Sequence, residues 1–349
     1  MNNFKLEQSG VWVPNSQYPS VKFSQLDKLI NDAPNLKKKR SRICVHPSAN
    51  DAQQEMFIAF SGDSYIQPSY HTIDESFHLI RGAGKYVFFD KDGNYESDVR
   101  LGSYDSDLAF YVRVPAKTIH TLIPLSKQIT AHEVIGGKFS RKNTVFPDWS
   151  KSETDENLDE FFDKYAYHPV SKFSPIKLER ISEEAFQCKD KLVYLRRHDI
   201  ENLKKEMPLT KRKRIRILTH PDSNHAIHEI FVVYSNKTFV MANMHLGKDE
   251  SLHILEGEAD FIFFDEKGNV TEVVRLSTSD PNKDFFVRVP KNTFHTIIMR
   301  SPVLVIHEAT PGPFKRSDTI WADWCPKDSQ VEESKVFSEK LEKELKKFK

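Results

Sequence analysis

The sequence predicts an all-β-dominated protein built from two tandem copies of one domain. Three observations carry this. Residue identities recur in register at an offset of 174 to 175 over more than 100 positions. The apolar residues between them fall in short β-type runs such as MFIAF, KYVFF, FYVRV and ITAHEVI. Turn signals punctuate those runs at Ser61-Gly62-Asp63, Asp92-Gly93-Asn94 and Lys267-Gly268-Asn269. Many short strands separated by regular turns indicate a sandwich or barrel.

The repeat opens with RSRICVHPSANDAQQEMFIAF from Arg40, which overlies RIRILTHPDSNHAIHEIFVVY from Arg214. Arg42, His46, Pro47, Asn50 and Glu55 there match Arg216, His220, Pro221, Asn224 and Glu229. ESFHLIRG from Glu75 then matches ESLHILEG from Glu250, so one residue is added in the second copy before Glu250. The register holds through FYVRVPAKTIHTLI and FFVRVPKNTFHTII to Asp148-Trp149 and Asp323-Trp324. Two large units follow from this period, not a solenoid. A short helix is expected ahead of the strands in each copy, over SQLDKLINDA and HDIENLKKEM. The expected boundaries are 20–150 for the first domain, 151–190 for a linker and 191–328 for the second domain. A C-terminal amphipathic helix is expected over 329–349. The first 20 residues show no partner in the second copy, and neither does the acidic stretch after Ser150.

Composition excludes several function classes. With 51 Lys plus Arg against 50 Asp plus Glu, the chain lacks the basic excess of a nucleic-acid binder. No apolar run approaches the ~20 residues of a membrane span. MNNFKLEQSGVWVP has no apolar stretch, so a cytoplasmic protein without a signal peptide is expected. Cys44, Cys188 and Cys325 are odd in number and widely spaced, which fits free thiols.

The chemistry-bearing residues recur with the repeat. His71 precedes Glu75 by four, Gly82 follows, and His120 lies five after Pro115. The second copy gives His245, Glu250, Gly257, Pro290 and His295. Two imidazoles and a carboxylate suit a divalent first-row metal. The segments between His and Glu read as turns, which tolerate a spacing of four or five; a continuous strand would turn the glutamate to the other face. His78 and His253, three residues past each glutamate, would face outward on a regular strand, or serve as alternative ligands if a bulge turns them inward. His132 and Glu133, like His307 and Glu308, are neighbours on a strand, so one of each pair faces inward. The basic runs KKKRSR and KRKRIR read as a solvated, edge-protecting loop. Alternatively, Arg40 with Arg42, or Arg214 with Arg216, grips a carboxylate or phosphate.

The order His, three or four residues, Glu, six residues, Gly, then a strand start with Pro and a later His is similar to the two cupin motifs. Arg-x-x-x-His, Phe-Phe-Asp before a glycine turn, Gly-Pro-Phe (312–314) and Ala-Asp-Trp-Cys-Pro (322–326) resemble more closely the WbuC-type cupin-fold metalloproteins. The resemblance covers about 130 residues in each half. It implies two cupin jelly-roll (double-stranded β-helix) barrels, each with a divalent metal (Fe, Mn, Zn or Ni) in its mouth. It also associates the chain with surface-polysaccharide biosynthesis. The chain departs from the motif at Ser69 and Asn243, where a first His is usual, and at Lys117 and Asn292, where Gly is usual. The implied metal ligands are His71, Glu75 and His120 in one copy, and Asn243, His245, Glu250 and His295 in the other. Arg42, Arg216, Glu133 and Glu308 are the substrate-side candidates. The expected function is a metal-dependent isomerase or epimerase on a sugar-related or anionic small molecule. An Fe(II)-dependent oxygenase and a non-catalytic ligand-binding bicupin are the alternatives. The halves are expected to pack as a pseudo-dimer, with neither nucleic acid nor membrane as partner and a further oligomer left open.

Overall fold

A computed structural model describes residues 1, 3–153, 155, 158–166 and 175–348. The chain forms two units. One takes in 1–16, 24–179 and 188–201; the other takes in 17–23, 180–187 and 202–349.

In the first unit the strands Gln53–Ser61, Gln128–Gly136, Glu75–Arg81 and Ala109–Val114 hydrogen-bond in that order. Arg40–Cys44 extends this sheet at one end, and Val193–Arg196 pairs with Ala109–Val114 at the other. Facing it are Tyr95–Gly102, Ala83–Phe89 and Ile119–Pro124. The interior between the sheets holds Ile58, Phe60, Phe77, Leu79, Tyr86 and Leu122 among others. Alternation decides this: Glu75, Phe77 and Leu79 point inward, and Ser76 and His78 point to the opposite face. The second unit repeats the plan. Ile227–Ser235, Val303–Pro311, Glu250–Glu256 and Phe286–Val289 form one sheet, which Ser20–Val21 extends. Val270–Ser277, Glu258–Phe264 and Phe294–Met299 belong to the other. The architecture is a pair of jelly rolls, as expected, but the sheets do not close into barrels.

Two features correct the sequence reading. The first 20 residues do have a counterpart. Phe4–Gln8 and Val11–Pro14 form a hairpin whose second strand runs parallel to Arg40–Cys44. Leu178–Ser182 and Ala185–Cys188 stand at the same offset of 174, and the latter runs parallel to Arg214–Leu218. The stretch after Ser150 also has one. Helix Leu158–Ala166 and helix Val331–Leu345 overlap at an offset of 175. The first packs Phe161, Phe162 and Tyr165 on Val87 and Phe89, and the second packs Phe337 and Leu341 on the counterparts Ile262 and Phe264. Within the expected linker, residues 154, 156, 157 and 167–174 lie outside the described residues.

The glycine turns have a specific cause. Asp90 accepts hydrogen bonds from the Asp92 and Asn94 amides at 2.9 and 2.8 Å, and Gly93 takes φ +86°. A Cβ on Gly93 would meet the Trp149 ring at 2.7 Å, so the Asp-Trp motif is the lid of this turn. Gly268 and Trp324 repeat the arrangement, also at 2.7 Å. Gly82, at φ +87°, reverses the chain between two strands, and a Cβ there would lie 2.4 Å from the Gln128 carbonyl oxygen. Because that contact is to backbone, Gly82→Ala is expected to cost more than about 2 kcal/mol, the left-handed strain plus the displaced carbonyl. Chemical denaturation checks this; a variant as stable as the wild type refutes it.

Among the described residues no helix is long and apolar enough to cross a membrane. The three cysteines are free and buried.

Candidate metal centres

His71 ends the short strand Tyr70–His71, Glu75 begins the next strand, and a turn links them. Asp74 fixes that turn: one oxygen accepts from the Ala116 amide at 2.9 Å and the other meets the buried Arg113 guanidinium at 3.3 Å. Asp249 does the same with the Lys291 amide at 2.9 Å and with Arg288. The extra residue of the second copy is absorbed here, with Gly247 at φ +70°. Lys117 and Asn292, standing where the motif has glycine, adopt φ +63° and +60°. Their amides donate to the His71 and His245 carbonyls at 2.7 and 2.9 Å, so this left-handed turn anchors the ligand-bearing strand.

His71, Glu75 and His120 converge in the first unit, and His245, Glu250 and His295 in the second, each set with its donor atoms within 4.8 Å of one another. His71 Nε2 lies 3.1 Å and His120 Nε2 2.6 Å from Glu75 oxygens. In the second unit the corresponding distances to Glu250 are 3.5 and 3.1 Å. His120 Nδ1 faces the Thr118 carbonyl at 2.8 Å and His295 Nδ1 faces that of Thr293 at 2.9 Å. A carbonyl only accepts, so each Nδ1 carries a proton and Nε2 is the nitrogen left facing the glutamate. Glu75 Oε1 and Glu250 Oε2 are buried and have no bond of hydrogen-bonding geometry. Two imidazole nitrogens converging on a buried carboxylate are the donor set a divalent cation takes. The carbonyl-pinned imidazoles are its usual outer support. Thr144 and Thr319 hydroxyls reach His71 and His245 Nδ1 at 3.2 and 3.3 Å. The residues present therefore fit a divalent metal at both places.

Burial opposes the charge on Glu75, but the facing His120 and His71 outweigh it and hold its pKa below the usual carboxylate value. Burial also opposes the Glu250 carboxylate, yet His245 and His295 bring it down to about 2. Glu133 is pushed up to about 7 by burial and then by Glu75, against Arg42 and Arg40. Glu308 is pushed up to about 8 by burial and then by the Glu250 charge, against Arg216 and Arg214.

A cavity of about 1060 Å³ in the first unit brings together His71, Glu75, His120, Arg42 and Glu133. The Arg42 side chain has no hydrogen-bond or ion-pair partner among the described residues, while its backbone amide donates to the Gly10 carbonyl at 2.8 Å. Arg40 does not share this freedom: it is paired with Glu153 at 2.6 Å, as is Lys38 at 2.8 Å. The basic run is therefore a cavity wall and not only a solvated loop. In the second unit Arg214 is engaged by Glu184 at 3.3 Å, and the Arg216 side chain is without a partner among the described residues. Phe139 and Phe146, each about half exposed, line the same cavity, and Phe314 and Trp321 hold the corresponding positions.

Asn243 stands beside His295 on the neighbouring strand, and its amide nitrogen donates to the Met241 carbonyl at 3.1 Å. Ser69 occupies the same relation to His120. His78 and His253 lie on the face opposite the triads, as the odd spacing requires, but they are buried rather than on an outer surface. His132 and His307 share that face and approach Glu55 and Glu229 at 2.7 and 3.1 Å. Sequence reasoning missed Glu153 and Tyr86. The first is a lone acid in an acidic stretch. The second leaves a faint signal, since its repeat counterpart Phe261 differs from it by one hydroxyl.

Residues 21–101 and again 195–276 match a family model described as a domain of unknown function (DUF6016). The two matches fall at the internal offset and cover under half of the chain. No curated protein matches the sequence. Among solved structures, the fold is similar to that of a salicylate 1,2-dioxygenase variant from Pseudoaminobacter salicylatoxidans in complex with gentisate. That similarity has a TM-score of 0.59 at 11% identity, covering 89% of this chain and 88% of the other. A second structure of that enzyme gives 0.56 at 11% identity over 88% and 89%. Oxalate decarboxylase from Lactobacillus farciminis gives 0.42 at 13% identity over 91% and 85%. The chain has the bicupin fold.

Proposed function

We propose that this bicupin is a metal-dependent enzyme that isomerises or epimerises a small organic anion, sugar-related in class, inside its jelly rolls. The observation that carries this is the first-unit cavity, in which the unpartnered Arg42 and the His71–Glu75–His120 set share one space. His71, Glu75 and His120 would hold the ion in one unit, and His245, Glu250 and His295 in the other, with Asn243 beside them as a neutral oxygen donor. A divalent ion supplies Lewis-acid polarisation of a substrate oxygen. Arg42 and Arg216 bind a carboxylate or phosphate through two parallel N–H donors. The apolar wall, including Ile58, Phe60 and Leu122, excludes water and strengthens those contacts. Glu133 and Glu308 face the substrate side and are the carboxyls placed to carry a proton. The resemblance to WbuC-type proteins supports the sugar-related class, a cytoplasmic location and a place in surface-polysaccharide biosynthesis.

A second reading, an Fe(II)-dependent oxygenase, is favoured by the two-His-one-carboxylate set, which suits non-haem iron with open positions, and by the likeness to salicylate 1,2-dioxygenase. Metal analysis of protein purified without added metal, followed by oxygen-electrode and NMR assays on nucleotide sugars and sugar acids, separates the two. Isomerised product without oxygen uptake is expected. Oxygen uptake by the iron-loaded protein with salicylate or gentisate would replace the first reading. Binding without turnover would leave a ligand-binding bicupin.

A further inference from the structure

The two halves exchange a phenol for a phenyl at two interior positions. Phe60 and Tyr234 are counterparts, opposite Ile129 and Leu304 on the neighbouring strands. Tyr86 and Phe261 are counterparts, opposite Leu122 and Ile297. Tyr86 is 5% and Tyr234 8% exposed, and among the described residues neither hydroxyl makes a hydrogen bond. Neither oxygen is sealed from solvent, so each hydroxyl is open to a ligand. Packing does not require either one, because phenylalanine fills the same place in the other half. Tyr86 lines the cavity and stacks its ring on His120 at 5.3 Å, as Phe261 stacks on His295 at 5.3 Å. Tyr234 stands directly across from Arg214 on the adjacent strand. The two phenols therefore rise from different sheets. In the first unit the phenol belongs to the sheet that carries His120. In the second it belongs to the sheet that carries Glu250 and the arginines. Their charged surroundings differ accordingly: Tyr86 feels Glu75 and Glu133, whereas Tyr234 feels Glu308, Arg214, Arg216 and Glu250.

We propose that Tyr86 and Tyr234 are ligand-contacting hydrogen-bond donors that make the two sites non-equivalent toward one class of ligand, an organic anion carrying both a carboxylate and a hydroxyl. Tyr86 serves the hydroxyl end beside the imidazoles. Tyr234 serves the carboxylate end beside the arginines. The proposal rests on the metal reading above.

The test uses the full chain loaded with Co²⁺, with His295→Ala to isolate the first site and His120→Ala to isolate the second. Glycolate and acetate are titrated against the visible cobalt bands. In the first site Tyr86→Phe is expected to weaken glycolate on the order of fivefold to tenfold and to leave acetate unchanged, the worth of one hydrogen bond. In the second site Tyr234→Phe is expected to weaken both anions alike. Phenylalanine already occupies each counterpart position, so cobalt uptake should be unaffected in both variants. Phe60→Tyr combined with Tyr86→Phe should give the first site the anion preference of the second. Cobalt uptake with unchanged glycolate affinity in Tyr86→Phe, the same pattern in both variants, or no anion response in the wild-type sites overturns this proposal alone. No cobalt uptake overturns the metal reading and this inference with it.

Discussion

Glu75→Ala is expected to lower bound divalent metal from about two equivalents per chain to about one, and Glu250→Ala to remove the other. Each carboxylate is the only anionic donor in its set. Losing an outer hydrogen bond to a metal ligand costs about 10- to 100-fold in affinity, so loss of the ligand itself should exceed that. The two sites should not be equal. Asn243 adds an amide oxygen that a hard cation accepts, where Ser69 adds only a short hydroxyl. After mild chelation, Glu75→Ala protein should keep its remaining ion, in the second unit, longer than Glu250→Ala protein keeps its own. Metal content by mass spectrometry decides this. Retention in Glu250→Ala that outlasts retention in Glu75→Ala reverses the assignment, and two equivalents in either variant would end it.

Asp98→Ala should destabilise the first unit by about 3–5 kcal/mol, because it strands a buried ammonium. Lys85 Nζ lies 3.3 Å from Asp98, and both side chains are fully buried. Lys85 also donates to the Tyr165 carbonyl at 2.9 Å and the Ala166 carbonyl at 3.3 Å, so it ties down the C-terminal end of helix Leu158–Ala166. The counterparts in the second unit are Asp260 and Val273, and Asp260 instead pairs with Arg300 at 2.7 Å. Lys85→Met with Asp98→Leu removes both charges and should recover most of the loss. Hydrogen exchange localises the effect, which should fall on residues of the first unit. Removing the exposed pair Lys189–Glu179 should cost no more than about 1 kcal/mol. Equal losses from the two pairs would contradict the argument.

The triads were legible in the sequence because each is a pattern of identities at fixed spacing, and metal chemistry requires those residue types. The hairpins Phe4–Pro14 and Leu178–Cys188 were not. They are held by backbone pairing at a sheet edge, and such pairing constrains no particular side chain. The helix pair was half visible: Phe162 and Phe337 share the offset, but the surrounding charges differ and hide the common apolar face. Glu153 could not be found at all, since its role depends on meeting Arg40 across more than a hundred residues.

The duplication, the β-rich class and the two sets of His71, Glu75, His120 and His245, Glu250, His295 are readable along the chain. Those follow from register and residue chemistry, which the linear order carries. Folding, not the linear order, leaves the Arg42 side chain unengaged while Arg40 is neutralised, and buries His78 and His253. It alone decided that Ser20–Val21 pairs with Phe286–Val289 and that Val193–Arg196 pairs with Ala109–Val114. Each of these depends on which surfaces meet after folding. A guanidinium, an imidazole or a strand edge is satisfied by whichever partner the folded arrangement brings within reach, and sequence distance does not limit that choice.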